Sequence, residues 1–328
     1  MIPQRQLGKQ GLKVGAVGYG AMVLEGWYGA VDETAAVDTL RHALDIGVNF
    51  IDTADAYGNG HNEGLVARAI KGRRKDCIVA TKFGIVFEPG IKGTEWPTNF
   101  GFSLYINGRP DYVRKCLDNS LRRLGVETID LWYLHWPDRA MPIEETVGAM
   151  AEGVRAGKVR YLGLSNVTAD EARRANRVHP IAAVQYEYSL WRRELEASLL
   201  PALRELGIGL VPWAPLGSGF LSGKVPELSP DDWRNKNPRY AGDNLKANTD
   251  RFAPLMSLAK ELGITAAQLA LAWLLHQGGE VVPIPGSRRK ERVSENAAAA
   301  SVKLSADVLK WIEQIAPAGS AAGKALIT

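Results

Sequence analysis

The sequence predicts an α/β fold of the (β/α)8, or TIM-barrel, type: eight parallel strands closed into a barrel, with helices outside. Three observations lead there. Eight short apolar runs recur along the chain, at residues 17–20, 48–52, 77–81, 129–134, 159–164, 181–185, 208–213 and 281–284. Between them lie stretches with helical apolar spacing and readable caps. The runs are continuously apolar rather than alternating, as expected of parallel strands covered on both faces. Such a barrel takes about 250 residues plus insertions, which a chain of 328 residues supplies. The alternative is an open doubly wound sheet, which ordinarily carries a glycine-rich dinucleotide turn after its first strand. Val17-Gly18-Tyr19-Gly20-Ala21-Met22 lacks the third glycine at that spacing, so the barrel ranks first.

Taken in order, residues 4–14 read as a hairpin, Arg5-Gln6-Leu7 and Leu12-Lys13-Val14 joined by Gly8-Lys9-Gln10-Gly11, expected at the barrel bottom. Asp32 caps a helix with Val37, Leu40 and Leu44 on one face, ending at Gly47. Pro110 opens a helix carrying Val113, Leu117, Leu121 and Leu124, closed by Gly125. Thr168 and Glu171 form a capping box, and Ser305 starts a last helix with Val308, Ile312 and Ile315. Two segments, 84–110 and 217–250, exceed ordinary connections. Both follow strands, so they are expected to be active-site loops on the catalytic face. Residues 318–328 read as a flexible tail, and 1–328 as one domain.

Composition narrows the function. The formal charge is +4, and the dense basic runs Arg73-Arg74-Lys75 and Arg288-Arg289-Lys290 are not interleaved with aromatics, so nucleic acid is not an expected partner. Cys77 and Cys116 stand in apolar or helical contexts without metal spacing, which points to a reducing compartment. No apolar run is long enough for a bilayer and no signal peptide is evident, so a cytoplasmic protein without a membrane partner is expected. His42, His61, His179 and His276 have no paired ligands at metal spacing, so no metal site is expected.

Barrel closure makes distant strand ends converge. Asp52 and Tyr57 follow the second strand, Lys82 the third and His135 the fourth. A lysine after a buried strand ordinarily reaches for water, and a lone histidine is ordinarily a satisfied core residue. Their coincidence at neighbouring strand ends favours a site. A free tyrosine titrates near pH 10, too high for efficient proton exchange at neutrality. An adjacent ammonium favours tyrosinate and lowers that value. In this reading Asp52 holds Lys82, His135 orients a substrate oxygen, and Tyr57 protonates a carbonyl oxygen as hydride reaches carbon.

These segments, Asp52-Thr53-Ala54-Asp55-Ala56-Tyr57-Gly58, Thr81-Lys82 and Leu134-His135-Trp136-Pro137-Asp138, resemble the catalytic segments of the aldo-keto reductase superfamily, in the same order. The likeness is to NADPH-dependent, long-loop members and runs from Gly20-Ala21-Met22 to Glu295-Asn296. It implies a barrel that binds NADP(H) without a Rossmann fold. By resemblance, Ser165, Asn166 and Gln185 hold the nicotinamide carboxamide, Trp213 stacks on its ring, Leu216, Gly217 and Gly219 approach the pyrophosphate, and Gly20, Ala21, Met22, Asp52, Ala214, Pro215 and Ser218 complete the cofactor site. Gly286, Ser287, Arg288 and Arg292 are matched to the 2′-phosphate segment, and Glu295 and Asn296 to the adenine amine. Some relatives have Lys where this chain has Gly286, with Arg288 as the substitute cation.

Trp27 and Trp136 are the best-placed substrate-pocket residues, with Tyr28, Phe83, Trp96 and Phe100 as further candidates and Arg239 as a cover over the cofactor. The substrate implied is a small carbonyl compound or its alcohol; oligomeric state is not legible. Two rival readings stay open. One is a nucleotide-sensing subunit resembling potassium-channel β-subunits. The other is a barrel lyase or isomerase that uses Tyr57 and Lys82 without hydride transfer.

Overall fold

The computed structural model describes residues 2–98, 102–223, 228–230 and 232–325. The chain opens with a hairpin, β1 (Gln4–Leu7) and β2 (Leu12–Gly15), paired antiparallel as expected. β3 (Tyr19–Gly20) is followed by a short 3-10 turn, Ala21–Glu25, and helix α1 (Glu33–Asp45), capped by Asp32 on the amide of Ala35. Next come β4 (Phe50–Asp52), α2 (His61–Ile70) and β5 (Ile78–Phe83). The first long loop contains a hairpin that the sequence reading missed, β6 (Thr94–Pro97) and β7 (Ser103–Ile106).

The regular alternation then resumes: α3 (Pro110–Leu124), β8 (Ile129–Leu134), α4 (Ile143–Arg155), β9 (Val159–Ser165), α5 (Ala169–Val178), β10 (Ile181–Glu187), α6 (Leu199–Leu206) and β11 (Gly209–Trp213). Gly125 ends α3 in a left-handed conformation, and the Thr168–Glu171 capping box forms in full. The chain ends with α7 (Asp243–Glu261), α8 (Ala266–Leu275), α9 (Lys290–Ala298) and α10 (Ala306–Ile315). The second long loop is therefore shorter than 217–250, because α7 begins at Asp243.

Seven parallel strands form one sheet in the order β11-β10-β9-β8-β5-β4-β3. The predicted eighth run, 281–284, is not a regular strand, yet it closes the barrel. On one side Val282 and Ile284 donate to Leu210 and Pro212 of β11; on the other Gly18 donates to the carbonyl of Pro283. Pro283 and Pro285 have no N–H to give a ladder, which explains the irregularity. Architecture and catalytic-face geometry are those of a (β/α)8 barrel.

The strand period of two decides which side chains enter the barrel. Phe50, Ala80, Leu131, Tyr133, Ala183, Val211 and Val282 meet inside, with Leu7, Leu12 and Val14 of the hairpin plugging the bottom. Ile51, Val79, Trp132, Leu134, Leu162 and Val184 point outward to the helices. Gly163 leaves room for the Tyr133 ring, since a Cβ there would collide with it. The tail expected to be flexible is anchored in its described part: Asn248 bonds the backbone of Ala322, and Arg239 donates to the carbonyl of Gly323. Among the described residues no single helix is long and apolar enough to cross a membrane.

Candidate active site

The inward alternation continues upward by one step on each strand. Two residues beyond Phe50, Ala80, Tyr133, Gly163, Ala183 and Val211 stand Asp52, Lys82, His135, Ser165, Gln185 and Trp213. Register brings neighbours level: Lys82 pairs with Tyr133, and Gln185 with both Ser165 and Val211. The polar residues thus form a ring above the apolar barrel interior, at its C-terminal mouth.

Lys82 is wholly buried. Its ammonium donates to Asp52 Oδ1 at 2.5 Å, to the Thr53 carbonyl at 2.8 Å and to the Tyr57 hydroxyl at 3.1 Å. Gln185 donates to the other Asp52 oxygen at 2.7 Å. The Tyr57 and His135 rings meet edge to face, centroids 5.8 Å apart. All four residues expected to act together are therefore assembled at one place.

Electrostatics follow from burial. Desolvation pushes the Tyr57 phenol above its ordinary pKa; Lys82 opposes this without reversing it. The lowered tyrosine expected from the sequence is thus corrected: in this buried site desolvation outweighs the ammonium. Burial also works against a charged Lys82, but Asp52 and Tyr57 hold its pKa above the ordinary value. His135 is pushed well below the imidazole range, first by burial and then by Lys82, so it is neutral near pH 7. Its Nδ1 is buried without a hydrogen-bond partner.

Above this floor lies a cavity of about 1000 Å³. Of the residues matched by resemblance, Gly20, Met22, Ser165, Asn166, Gln185, Trp213, Ala214, Pro215, Leu216, Ser218, Gly219, Gly286, Ser287 and Arg288 line it. Asn166 has a positive φ of 57° and knits the wall: it donates to the His135 carbonyl and Ser165 Oγ, and accepts from Trp213 Nε1 at 3.2 Å. Gly20 and Gly286 let two backbones cross closely, since a Cβ on Gly286 would strike the Gly20 carbonyl and Val23. No lysine fits there without a backbone shift, which accounts for the departure noted in the sequence.

Several expectations are corrected. Arg292 forms an ion pair with Glu295 and neither lines the cavity; the guanidinium that lines it beside Arg288 is that of Arg289, which sequence reasoning passed over. Asn296 is buried away from the cavity lining, Ala21 lies buried in its own turn, and Gly217 lies against Trp191. Phe83 faces outward and stacks on Trp132. Trp96 packs behind Trp136, ring centroids 5.1 Å apart, as a second layer. Arg239 is buried on the Trp191 carbonyl rather than over the cavity. Phe100 lies outside the described residues.

Trp27, Tyr28 and Trp136 do line the cavity, with Trp233 and Arg234 of the second long loop, which the sequence did not single out. Trp233 meets Tyr28 edge to face at 5.7 Å, and Arg234 sits 5.3 Å from the Tyr28 ring centroid. These contacts join, at the cavity wall, two connections distant in sequence. Among the described residues no group of three or more His, Cys, Asp or Glu could hold a metal ion.

A parallel barrel with a lysine, aspartate, tyrosine and histidine ringed at its mouth defines a class of oxidoreductase folds rather than one protein. The comparisons narrow it. The sequence profile of the Aldo/keto reductase family matches residues 16–317, and the chain belongs to that family. It is 43% identical over 323 residues to a probable aldo-keto reductase 1 of Glycine max, covering 97% of this chain and 90% of that protein. It is similar to the glycerol dehydrogenase of Gluconobacter oxydans, with 30% identity, a TM-score of 0.84 and coverage of 95% and 94% of the two chains. An aldo/keto reductase from Klebsiella pneumoniae, solved with NADP and acetate, matches with 26% identity, a TM-score of 0.75 and coverage of 100% and 99%.

Proposed function

We propose that this chain is an NADP(H)-dependent oxidoreductase interconverting an aldehyde or ketone with its alcohol, with Tyr57 as proton donor and acceptor. The observation that carries the reading is the buried ammonium of Lys82, bonded at once to Asp52 and to the Tyr57 hydroxyl beside a neutral His135. The Klebsiella pneumoniae relatives with NADP and NADPH support the cofactor. So does the donor set in the cavity. Ser165, Asn166 and Gln185 offer hydroxyl and amide groups beside the flat face of Trp213, while Ser287, Arg288 and Arg289 offer a hydroxyl and two guanidinium forks for phosphate at the other end.

When bound, NADPH supplies the hydride. The residues of this chain do the rest. Burial keeps Tyr57 protonated through neutral pH, so a proton is ready for the carbonyl oxygen. Lys82, held charged by Asp52, stabilises the tyrosinate left behind. Neutral His135 offers a hydrogen bond that orients the oxygen without competing for the proton. Buried Trp136 and exposed Trp27 offer apolar surface to the substrate around its carbonyl.

The test is NADPH oxidation against aldehydes, ketones and sugar-derived carbonyls, with Tyr57→Phe run beside the native chain. Turnover should fall by about 10²–10⁴-fold in the variant while NADPH binding persists. Undiminished turnover would remove Tyr57 from proton transfer. NADPH binding with no turnover in either direction would move the reading to nucleotide sensing.

A further inference from the structure

Resting on that functional reading, we infer that Asn62 and Glu63, at the start of α2, are positioning residues that set the spacing between Lys82 and Tyr57 through two outward-facing threonines. The strand period supplies the geometry. Asp52 and Lys82 point into the barrel, so their neighbours Thr53 and Thr81 point out toward α2. Thr53 Oγ1 donates to Asn62 Oδ1 at 2.7 Å, and Thr81 Oγ1 donates to Glu63 Oε1 at 2.7 Å. All four side chains are fully buried. Each strand end that carries a charged partner of Tyr57 is thus pinned, one residue away, to the same dipeptide.

Tyr57 is tied to that dipeptide along the chain. Gly58, Asn59 and Gly60 all have positive φ, of 56°, 54° and 91°, forming one tight turn between Tyr57 and α2. The turn has little room to move. A Cβ on Gly58 would collide with the Glu25 carboxylate, and one on Gly60 would lie 2.5 Å from Arg123. Glu25 in turn accepts from Asn62 Nδ2 at 2.7 Å, and Arg123 donates to Glu63 Oε2 at 2.6 Å. The residues that wall in the turn are therefore those that hold Asn62 and Glu63.

The network has a redundancy that suits positioning. Thr53 uses its hydroxyl on Asn62 while its carbonyl accepts from the Lys82 ammonium at 2.8 Å. Asp55 donates its backbone N–H to the Lys82 carbonyl at 3.0 Å, adding a second tie between the two segments. Loss of either threonine hydroxyl leaves a buried acceptor short of its donor and lets one strand end shift within its remaining backbone ties, while the cavity wall and the cofactor-facing residues stay as they are.

The experiment compares Thr81→Val and Thr53→Val with Thr81→Ser and Thr53→Ser, all beside Tyr57→Phe. The valine variants should lose roughly ten- to hundredfold in kcat, the scale of a sub-ångström misplacement, with NADPH affinity within about twofold of native. Alcohol oxidation climbs as Tyr57 loses its proton. Its pH profile should therefore move to higher pH, because less of the Lys82 field reaches the phenol. The serine variants should restore both. Should Thr81→Val fail to fold, Thr53→Val carries the same test on the other branch. Native kcat and profile in the valine variants, with Tyr57→Phe inactive, would overturn the positioning role and leave the functional reading intact. A lowered Tm with an unshifted profile would also overturn it, as the mark of a merely structural bond. An active Tyr57→Phe would instead sink the functional reading.

Discussion

The two ends of the cavity are built from opposite materials. At the floor, Asp52, Lys82 and His135 stand on or directly after strands, are at most 8% exposed, and bond to one another or to the strands beside them. At the far end, Arg288 and Arg289 are exposed, and Arg288 reaches back to the Ala30 carbonyl across an irregular connection. Charge at the floor cannot be screened or rehydrated, so its loss is felt by the fold as well as by the chemistry. Charge at the far end is open to water, so its loss should cost the fold little.

The sharpest way to break this contrast is to remove one floor charge. Lys82→Ala leaves Asp52 buried without its cation and should destabilise the protein by about 3–5 kcal/mol in urea unfolding, with activity lost. Asp52→Asn combined with Lys82→Met should recover most of the stability and none of the turnover. Stability unaffected by Lys82→Ala would show that water reaches the floor.

Gly286→Ala tests the crossing of backbones between the two ends. Its new Cβ would strike the Gly20 carbonyl, so a loss of about 1–3 kcal/mol in stability is expected, together with weaker NADPH binding in titration. Gly64→Ala is the matched control: it meets open space within a helix and should gain about 0.5–1 kcal/mol.

At the far end, Arg288→Ala should weaken NADPH by roughly 10–100-fold, the scale of a charge-assisted hydrogen bond, with NADH affinity and Tm nearly unchanged. Equal losses for both nucleotides would contradict contact with the 2′-phosphate. Arg292→Ala should do much less than Arg289→Ala, because Arg292 is already paired with Glu295 away from the cavity.

The smallest effect expected is in the pH profile of carbonyl reduction. The raised Tyr57 pKa keeps the proton donor loaded, and the depressed His135 pKa keeps the imidazole neutral. The turnover number should therefore be flat from about pH 7 to 10 and fall only above the ordinary tyrosine value. A break near pH 6.5 would mean that His135 titrates as an exposed imidazole.

Legibility followed the same division. The floor was readable because strand ends and chain order are local facts. An apolar residue facing inward puts the residue two further on at the same face, and Asp52, Lys82, His135, Ser165, Gln185 and Trp213 all obey that step. The caps at Asp32, Thr168 and Ser305 were readable for a similar reason, since each is settled within four residues. The capping box of Thr265 and Gln268 had the same signal and was overlooked. The loop-borne residues had no such signal. Trp233 and Arg234 become cavity residues through contacts with Tyr28, about 200 positions earlier in the sequence, and periodicity cannot report such a contact. Arg292 was matched by resemblance and Arg289 was not, and only the ion pair with Glu295 and the cavity lining separate them.

By itself the sequence determined the strand order, the helix caps at Asp32, Thr168 and Ser305 and the identity of the four polar residues at the mouth, because each depends on neighbours within a turn or a strand. Tertiary structure alone decided the protonation of those residues. Burial depth, which no local pattern encodes, outweighs Lys82 at Tyr57 and turns a tyrosine expected to titrate low into one that holds its proton. It also decided which side chains the loops bring to the cavity, because a loop's course is set by what it packs against, not by its own residues.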